Sequence, residues 1–353
     1  PYSHPFLGLS NGLNTKQGGV AGAVGGWVEL GRTTLGSAGD NITVSSLADK
    51  RYYMVLGDFY KTGSAMNALL RLNNDTGNNY AIRWSDNGGG DGTGVSKNFA
   101  LLGDGSGSTL YDQFAVAYIA NLSNKEKLVI SQGTRPNGTG AGNAPTRREG
   151  VSKWANTSAT INRIDAWNPD AGSFDTGSEV VVLGWDPADT HTNNFWEELA
   201  SVELGSAGDN LSTGTFTAKK YLWVQIFAKD NGSAIDLSAT FNNDTGSNYA
   251  VRRSLNGAAD GTFGNLTNMS WFGDNQAYNQ FANVFIINNA SNEKLCMCHW
   301  VGQGTAGAGN APARSERATK WANTSNQITE IDIDNTSAGS FDTGSIIKVW
   351  GAD

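Results

Sequence analysis

The sequence predicts an all-β protein, a tandem pair of homologous β-sandwich domains of jelly-roll-like type with a glycine-rich N-terminal arm. Three observations lead to this fold class. The composition favours strands and turns, long segments recur once along the chain, and apolar residues alternate with a period of two inside each repeat.

The composition is poor in helix formers. Of 353 residues 45 are Gly, aromatic residues make up 10%, and charged residues make up only 16%. An average soluble protein has about 25% charged residues. Abundant Asn, Ser, Thr and Gly are typical of turns and strands, and this length allows about two domains.

An internal repeat divides the chain into two modules. The spacing between matching segments is 169 residues in the first part of each module and 167 from Gln113 and Gln280 onward. The matching segments are Leu35–Asp40 with Leu204–Asp209, Asn73–Gly77 with Asn242–Gly246, Gly140–Pro145 with Gly307–Pro312, Lys153–Ser158 with Lys320–Ser325, and Ala171–Ser178 with Ala338–Ser345. We therefore predict equal strand orders, with the two-residue difference confined to the region between Thr93 and Gln113.

The repeat also sets the predicted domain boundaries. Residues 1–26 form an extended arm, 27–185 the first sandwich, 186–194 a polar linker, and 195–353 the second sandwich. Each module has nearly 160 residues, enough for a core of its own.

Alternating apolar residues between turn residues predict the strands within each module. The expected inward positions include Tyr80 with Ile82 and Trp84, Leu237 with Ala239 and Phe241, and Val180 with Val182, matched by Ile347 and Val349. The segment Phe114–Ile119 is apolar on both faces, which is typical of a strand covered on both sides. Trp154 and Trp321 share one repeat position, so we expect both to be buried.

The arm has no counterpart in the second module. Gly18–Gly26 cannot form a helix or fill a core, whereas Tyr2, Pro5, Phe6 and Leu7 form an apolar cluster at its tip. Two interpretations are open: a disordered terminus, or an arm that lies on a neighbouring subunit of a homo-oligomer.

Charge and hydropathy limit the partners. The net charge is −8 and basic residues form no dense patch, so neither nucleic acid nor an anionic membrane is an expected partner. No apolar run reaches the roughly 18 residues of a membrane span. The start at Pro1 lacks the features of a secretory signal, so either a signal was cleaved or only an initiator Met was lost. Pro1 suits the second alternative, and we expect synthesis in the cytoplasm.

The sequence predicts no catalytic residues, no cofactor-binding residues and no metal ligands, and hence no enzyme. The three histidines, His4, His191 and His299, do not recur between modules, and no Gly-x-Ser-x-Gly element is present. Cys296 and Cys298 point to one face of a strand, where we expect core packing and neither a disulfide nor a metal site.

Repeated acidic residues leave two alternatives open. The pairs are Asp75 with Asp244, Asp91 with Asp260, Glu126 with Glu293, and Asp165 with Asp332. A glycosidase needs two such acids about 5 to 10 Å apart, but most of these sites are explained by turn chemistry. The loop Asp86–Gly94 offers oxygen ligands to calcium without the EF-hand pattern, so calcium stays unassigned.

Thirteen Asn-x-Ser/Thr sequons occur, among them Asn41, Asn74, Asn156, Asn210, Asn243 and Asn323. A composition rich in Asn, Ser and Thr produces sequons by chance. They become glycosylation sites only if the chain is exported.

Three repeated elements, taken in order, resemble a module of tailed-phage and related virus structural proteins found in tail fibres and capsid-surface components. They are Asn73–Tyr80 with Asn242–Tyr249, the Trp-Ala-Asn-Thr-Ser element followed by Ile161 or Ile328, and Phe174–Ser178 with Phe341–Ser345. The resemblance covers both modules but not the arm. That family closes with an aliphatic-Tyr-Gly ending, where this chain has Leu183-Gly184 and Trp350-Gly351.

The resemblance implies a non-enzymatic virion structural protein, made in the host cytoplasm and carried on the virion surface of a bacteriophage or related virus. Its expected partners are copies of itself, capsid or tail proteins, and host-surface glycans. The alternative is an extracellular carbohydrate-binding or filament-forming glycoprotein, with a glycosidase as the less favoured third.

Overall fold

The computed structural model describes residues 26–105, 111–189, 193–270 and 275–353. Within these ranges the regular structure is entirely β, which confirms the predicted fold class. The described ranges also hold no helix that is long and apolar enough to cross a membrane.

The first module contains twelve strands. They are β1 (Val28–Thr34), β2 (Asn41–Ser45), β3 (Tyr52–Phe59), β4 (Leu69–Leu72), β5 (Tyr80–Asp86), β6 (Gly92–Lys97), β7 (Ala100–Leu101), β8 (Gln113–Ala120), β9 (Lys127–Arg135), β10 (Thr146–Trp154), β11 (Arg163–Trp167) and β12 (Glu179–Trp185).

The second module repeats them. Its strands are β13 (Glu197–Glu203), β14 (Asn210–Ser212), β15 (Tyr221–Ala228), β16 (Ser238–Phe241), β17 (Tyr249–Leu255), β18 (Gly261–Leu266), β19 (Met269–Ser270), β20 (Gln280–Ile287), β21 (Lys294–Gly302), β22 (Ala313–Trp321), β23 (Ile331–Asp334) and β24 (Ile346–Ala352).

Each module is a sandwich of an eight-stranded and a four-stranded sheet. The first has the orders β1-β12-β3-β8-β9-β10-β5-β6 and β2-β11-β4-β7, and the second has β13-β24-β15-β20-β21-β22-β17-β18 and β14-β23-β16-β19. The two topologies are identical, as the repeat predicted. The slip is also where it was expected, since the connection between β7 and β8 is two residues longer than that between β19 and β20.

Local sequence explains the turns that the modules share. Asn87-Gly88 and Asn256-Gly257 have positive φ at both residues and join β5 to β6 and β17 to β18, as in tight hairpins. Asn73 and Asn74 each have φ of 53°, a left-handed conformation that Asn tolerates better than most residues. The repeated Asn-Asn-Asp-Thr-Gly segment is therefore a backbone requirement of this turn.

The module ends are fixed by a repeated bulge. The register of β1 on β12 shifts between Glu29 and Gly31, and β13 shifts on β24 in the same way. A Cβ at Gly184 would lie 2.5 Å from Leu30 Cδ1, and one at Gly351 would lie 2.5 Å from Leu199 Cδ1. The closing glycine makes room for the leucine of the bulge.

One hydrophobic core fills each sandwich. The predicted inward pairs Val180 with Val182 and Ile347 with Val349 belong to these cores. Phe114 and Val116 are as buried as their neighbours on the opposite face of β8, so the expectation of a strand covered on both faces is confirmed. Trp154 and Trp321 are each 1% exposed, which confirms their predicted burial.

The chain separates into two compact units whose limits differ from the sequence repeats. The second unit contains Asn87–Gly89 and Thr134–Arg147 in addition to Glu197–Asp353. The remaining described residues, up to Trp196, form the first unit.

Several expectations lie outside the described residues. They concern the arm over residues 1–25, including Tyr2, Pro5, Phe6 and Leu7, and also His4 and the part of the linker that holds His191.

Candidate interaction surfaces

The repeated aspartates of the Asn-Asn-Asp-Thr-Gly turns are structural. Asp75 accepts a hydrogen bond from the Gly77 N–H at 2.8 Å and another from Trp154 Nε1 at 2.6 Å. Asp244 makes the same two contacts with Gly246 at 2.9 Å and Trp321 at 2.7 Å. The turn bond was expected from the sequence, but the bond to the core tryptophan was not.

These contacts favour the charged carboxylates. Burial raises the pKa of Asp75, but hydrogen bonds from Trp154, Asn79 and Gly77 outweigh it, so the pKa lies below its usual value. The pKa of Asp244 is lowered for the same reasons. Each carboxylate therefore stabilises its module in the ionised form.

The repeated acids Asp165 and Asp332 have different surroundings in the two modules. Asp165 forms an ion pair with Arg163 at 2.7 Å and accepts a hydrogen bond from Thr43. In Asp332, Oδ2 is buried and lacks a hydrogen-bond partner within the described part of the chain. Burial, together with Glu330 and Asp334, raises the pKa of Asp332. The second module thus has three acidic residues together, Glu330, Asp332 and Asp334, where the first has the Arg163–Asp165 ion pair.

The loop considered for calcium already uses its carboxylates. Asp86 binds the Arg148 guanidinium through two hydrogen bonds, at 2.6 and 3.0 Å. Asp91 lies 3.2 Å from Arg83. Both acids of the loop are therefore bound to cations of the chain itself.

The two cysteines are buried free thiols in the second core, as predicted. Burial raises the pKa of each to about 12, so both are protonated at neutral pH. In the described ranges no group of three His, Cys, Asp or Glu side chains is arranged to hold a metal ion.

A buried lysine in each module was missed by sequence reasoning. Lys294 Nζ donates to the carbonyl oxygens of Asn292 and Asn323, both at 2.9 Å, and burial lowers its pKa to about 8. Lys127 occupies the matching site and donates to the Lys125 carbonyl oxygen. The sequence places each lysine in a charged, turn-like segment, which gives no sign of burial.

Some sequons serve the fold. Asn121 is 5% exposed, and its Nδ2 donates to Asp49 and to the Lys50 carbonyl oxygen. Asn156 and Asn323 each accept two backbone hydrogen bonds from the turn that follows. Asn41, Asn74, Asn210 and Asn243 are exposed.

The outer face of the eight-stranded sheet differs sharply between the modules. On β9 and β10 of the first module three apolar side chains are exposed, namely Leu128 (55%), Ile130 (55%) and Val151 (47%). Their counterparts in the second module are buried, namely Leu295 (4%), Met297 (4%) and Ala318 (0%). We call the exposed set, together with the charged residues Arg83, Asp91, Glu126 and Lys153, the β9–β10 face.

An apolar cavity adjoins this face. It has a volume of about 220 Å³ and its lining includes Trp27, Tyr52, Tyr118, Leu128 and Ile130. Tyr52 also stacks on Trp185, with ring centroids 5.3 Å apart. The first module therefore has an apolar, largely aromatic cavity beside its exposed apolar side chains.

In the second unit the matching sheet is in contact with the segment Thr134–Arg147. Gly140 N–H donates to Glu293 at 2.6 Å, and Lys320 Nζ donates to the Gly138 carbonyl oxygen at 2.8 Å. Glu293 and Lys320 also form an ion pair at 3.1 Å.

Further contacts continue along this segment. Asn265 N–H donates to the Ala141 carbonyl oxygen at 2.7 Å, and Arg252 Nε donates to the Pro145 carbonyl oxygen at 2.7 Å. Arg147 binds Asp260 through two hydrogen bonds, at 2.7 and 3.0 Å. Within the second unit, backbone and charged contacts thus hold the segment Thr134–Arg147, which we call the docked loop, against the outer face of the sheet.

Comparison with known proteins gives little beyond the architecture. No protein-family model matches the chain, and no curated protein matches it. Among solved structures, domains LG4-5 of the mouse laminin alpha1 chain are similar at 10% sequence identity, with 92% of this chain and 89% of that chain covered and a TM-score of 0.19. This likeness carries no argument about function.

Proposed function

We propose that the chain is a non-enzymatic structural protein of a virion surface, a capsid decoration or tail-fibre component that assembles with itself and with shell or tail proteins. The observation that carries this proposal is the exposed apolar β9–β10 face of the first module. Leu128, Ile130 and Val151 lie together in water, although the same positions in the second module are covered. Apolar patches of this kind mark protein interaction sites.

The repeated acids support a structural role. Asp75 and Asp244 hold turns on core tryptophans, and Asp165 pairs with Arg163. Because these repeated acids have roles in folding, their recurrence is not evidence for the paired catalytic acids of a glycosidase. The resemblance of the repeated elements to phage structural modules supports the same conclusion.

The net charge also suits such a component. At −8 it disfavours binding to a packaged genome through phosphate contacts, so protein and glycan surfaces are the expected partners. The apolar cavity lined by Tyr52, Tyr118 and Leu128 is of the kind that binds small ligands, and a host-surface glycan is the ligand that we propose for it.

The test is where the native protein resides. An antibody raised against the full chain should label the outside of intact, gradient-purified virus particles, and the chain should co-purify with them at constant stoichiometry. An antibody against an internal core protein of the same particles is the control and should label only opened particles. Recovery of the chain free of particles, with sugar attached at Asn41 or Asn74, would instead support the extracellular glycoprotein.

A further inference from the structure

The second module has its own copy of the docked loop. We call residues 303–312 the β21–β22 loop; its Gly307–Pro312 segment is identical in sequence to Gly140–Pro145. Ala141 and Ala144 are 8% and 9% exposed, whereas their counterparts Ala308 and Ala311 are exposed. The chain therefore has two copies of this loop sequence. One is docked within the second unit, and the other is exposed to solvent.

The arginine that follows the loop shows the same contrast. The side chain of Arg147 is 5% exposed because it is bound to Asp260. Its counterpart Arg314 is 58% exposed and contacts Glu316 of its own strand. Arg147 thus binds the buried carboxylate of Asp260, whereas Arg314, at the matching position, is exposed.

The β9–β10 face repeats the charged groups that receive the loop. Glu293 and Lys320 correspond to Glu126 and Lys153, which form the same ion pair at 3.0 Å. That pair is 40% and 48% exposed in the first module but 11% and 0% exposed in the second.

The aspartate that receives the arginine is repeated as well. Asp260 and Arg252 correspond to Asp91 and Arg83, which pair at 3.2 Å with more than half of each side chain exposed. In the second unit Asp260 is 2% and Arg252 13% exposed. The first module therefore has the charges of the loop-binding face, and no loop within the described ranges contacts them as Thr134–Arg147 contacts the second.

We propose that the β21–β22 loop of one copy binds the β9–β10 face of a second copy, using the contacts that Thr134–Arg147 makes inside the second unit. Arg314 of one copy then binds Asp91 of the next, and the loop covers Leu128 and Ile130. The inference rests on the proposed function in that it names how the chain assembles with itself.

The backbone contacts of the docked loop can be transferred in the same way. Ser96 corresponds to Asn265, and both have a positive φ, 51° and 53°, so their N–H groups are presented alike. Asn265 N–H binds the Ala141 carbonyl oxygen, and Ser96 N–H would bind that of Ala308. Such contacts need no particular side chain.

One position makes the second interface looser than the first. A Cβ at Gly264 would lie 2.8 Å from the Ala141 carbonyl oxygen, yet its counterpart is Val95, which is 76% exposed. The loop of a second copy must therefore pass farther from β6 than Ala141 does from β18. This predicts an association that is weaker and more reversible than the contact within the second unit.

The interface joins two different surfaces, so each copy keeps one free loop and one free face. Such a heterologous contact adds copies head to tail and ends only if a ring closes. Among the described residues, the exposed loop and the exposed face each occur once per chain, so each added copy forms one contact of this kind.

The experiment measures self-association of the full chain by sedimentation velocity over a dilution series. Arg314→Glu and Asp91→Lys should each weaken association about tenfold or more, because each places like charges together. The double variant Arg314→Glu with Asp91→Lys should recover most of the wild-type association, since opposite charges then meet again. Asp170→Lys, at an exposed acid away from both surfaces, is the control and should leave association unchanged.

Two further variants test the apolar part of the contact. Ile130→Asp changes a half-exposed side chain, so it should leave folding intact and abolish association. Val95→Gly should strengthen association several-fold, because it restores the close approach that Gly264 permits.

The outcomes separate this inference from the proposed function. If the wild type associates but neither charge reversal weakens it, the loop-to-face contact is overturned while self-assembly stands. If removal of residues 1–25 abolishes association and Arg314→Glu does not, the N-terminal segment occupies the face and the inference is likewise overturned. A wild type that stays monomeric contradicts the proposed self-assembly itself.

Discussion

A tryptophan buried at the end of a strand needs a hydrogen-bond acceptor for its indole N–H. In both modules the acceptor is the aspartate of the Asn-Asn-Asp-Thr-Gly turn. Trp154 donates to Asp75 and Trp321 donates to Asp244. The aspartate is held in turn by the backbone of its own turn, so one carboxylate joins the turn to the core. A buried donor without such a partner would cost roughly 1 to 3 kcal/mol.

Truncation of the tryptophan should therefore be costly in either module. We expect Trp154→Ala and Trp321→Ala each to reduce the free energy of unfolding by about 3 to 5 kcal/mol, through the cavity and the loss of the indole hydrogen bond. Chemical denaturation followed by circular dichroism measures it. Replacement of Leu122 by Ala, at a side chain that is 44% exposed, is the control. Unchanged midpoints for both tryptophan variants would contradict the assignment.

The repeated acids Asp165 and Asp332 offer a matched pair of substitutions with opposite expected effects on stability. Asp165→Asn should destabilise the first module by about 1 to 3 kcal/mol at pH 7, because it weakens charged hydrogen bonds with Arg163 and Thr43. Asp332→Asn should stabilise the second module at pH 7, because it removes a buried charge beside Glu330 and Asp334. Thermal unfolding of the two variants measures both effects.

The Asp332 effect should depend on pH. Its pKa is raised in the folded chain, so the folded state binds a proton at a pH where the unfolded state does not. The stabilising contribution of the protonated carboxyl is complete below the ordinary carboxyl pKa and is lost as pH rises through the raised pKa. The gain from Asp332→Asn should therefore be large at pH 7 and vanish near pH 3. An equal gain at both values would contradict this account.

At the residue scale, the sequence predicted burial correctly where it rested on repeat position and strand alternation. The burial of Trp154 and Trp321 and the free, packed cysteines followed from repeat position and strand alternation. The bond from Trp154 to Asp75 could not be predicted, because it joins residues that only the completed fold brings together. The burial of Lys294 was missed because a charged side chain in a turn is usually exposed.

At the scale of elements, the repeated Ala-Gly-Ser-Phe-Asp-Thr-Gly-Ser segment is a packed connection before the last strand. A Cβ at Gly172 would lie 2.5 Å from the carbonyl oxygens of Ser64 and Ala65, and one at Gly339 would meet the matching carbonyls at 2.6 and 2.7 Å. Gly177 has a φ of 89°, which disfavours a side chain for a different reason. The segment recurs because two of its glycines are required by geometry.

Gly172→Ala should accordingly destabilise the first module by about 1 to 3 kcal/mol, since the backbone must move to admit a methyl group. Gly36→Ala is the matched control, because a Cβ there meets nothing within 4 Å and the φ is not positive. We expect the control to be neutral or slightly stabilising. Equal unfolding midpoints for the two variants would show that the close approach at Gly172 is unimportant.

Element-level prediction succeeded for the topology and failed for one loop. Alternation and turn residues predicted the strands, and the change of spacing predicted which connection is longer. Nothing in the sequence indicated that Thr134–Arg147 belongs to the second compact unit, because its contacts are made by its own backbone carbonyls and by Arg147, with residues far away in the chain. The exposure of the β21–β22 loop could not be predicted for the same reason.

At the scale of the whole molecule, duplication has left the two modules with the same fold and different surfaces. The part of the outer sheet face around Leu295 and Met297 is covered in the second module, and its counterpart around Leu128 and Ile130 is exposed in the first. The reverse holds for the loops, since Ala141 and Ala144 are buried and Ala308 and Ala311 are exposed. A chain with an exposed β9–β10 face and an exposed β21–β22 loop is suited to assembly with further copies. The sequence predicted self-association from the arm, and the structure adds a second basis for it in the described residues.

The most direct measurement is the mass of the full-length chain in solution over a wide concentration range, by sedimentation velocity at physiological salt. Our account predicts that the average mass rises steadily with concentration and passes beyond that of a dimer, because each added copy exposes a new acceptor face. A chain that keeps the mass of a single copy at every concentration would contradict the claim that this protein is a self-assembling structural component.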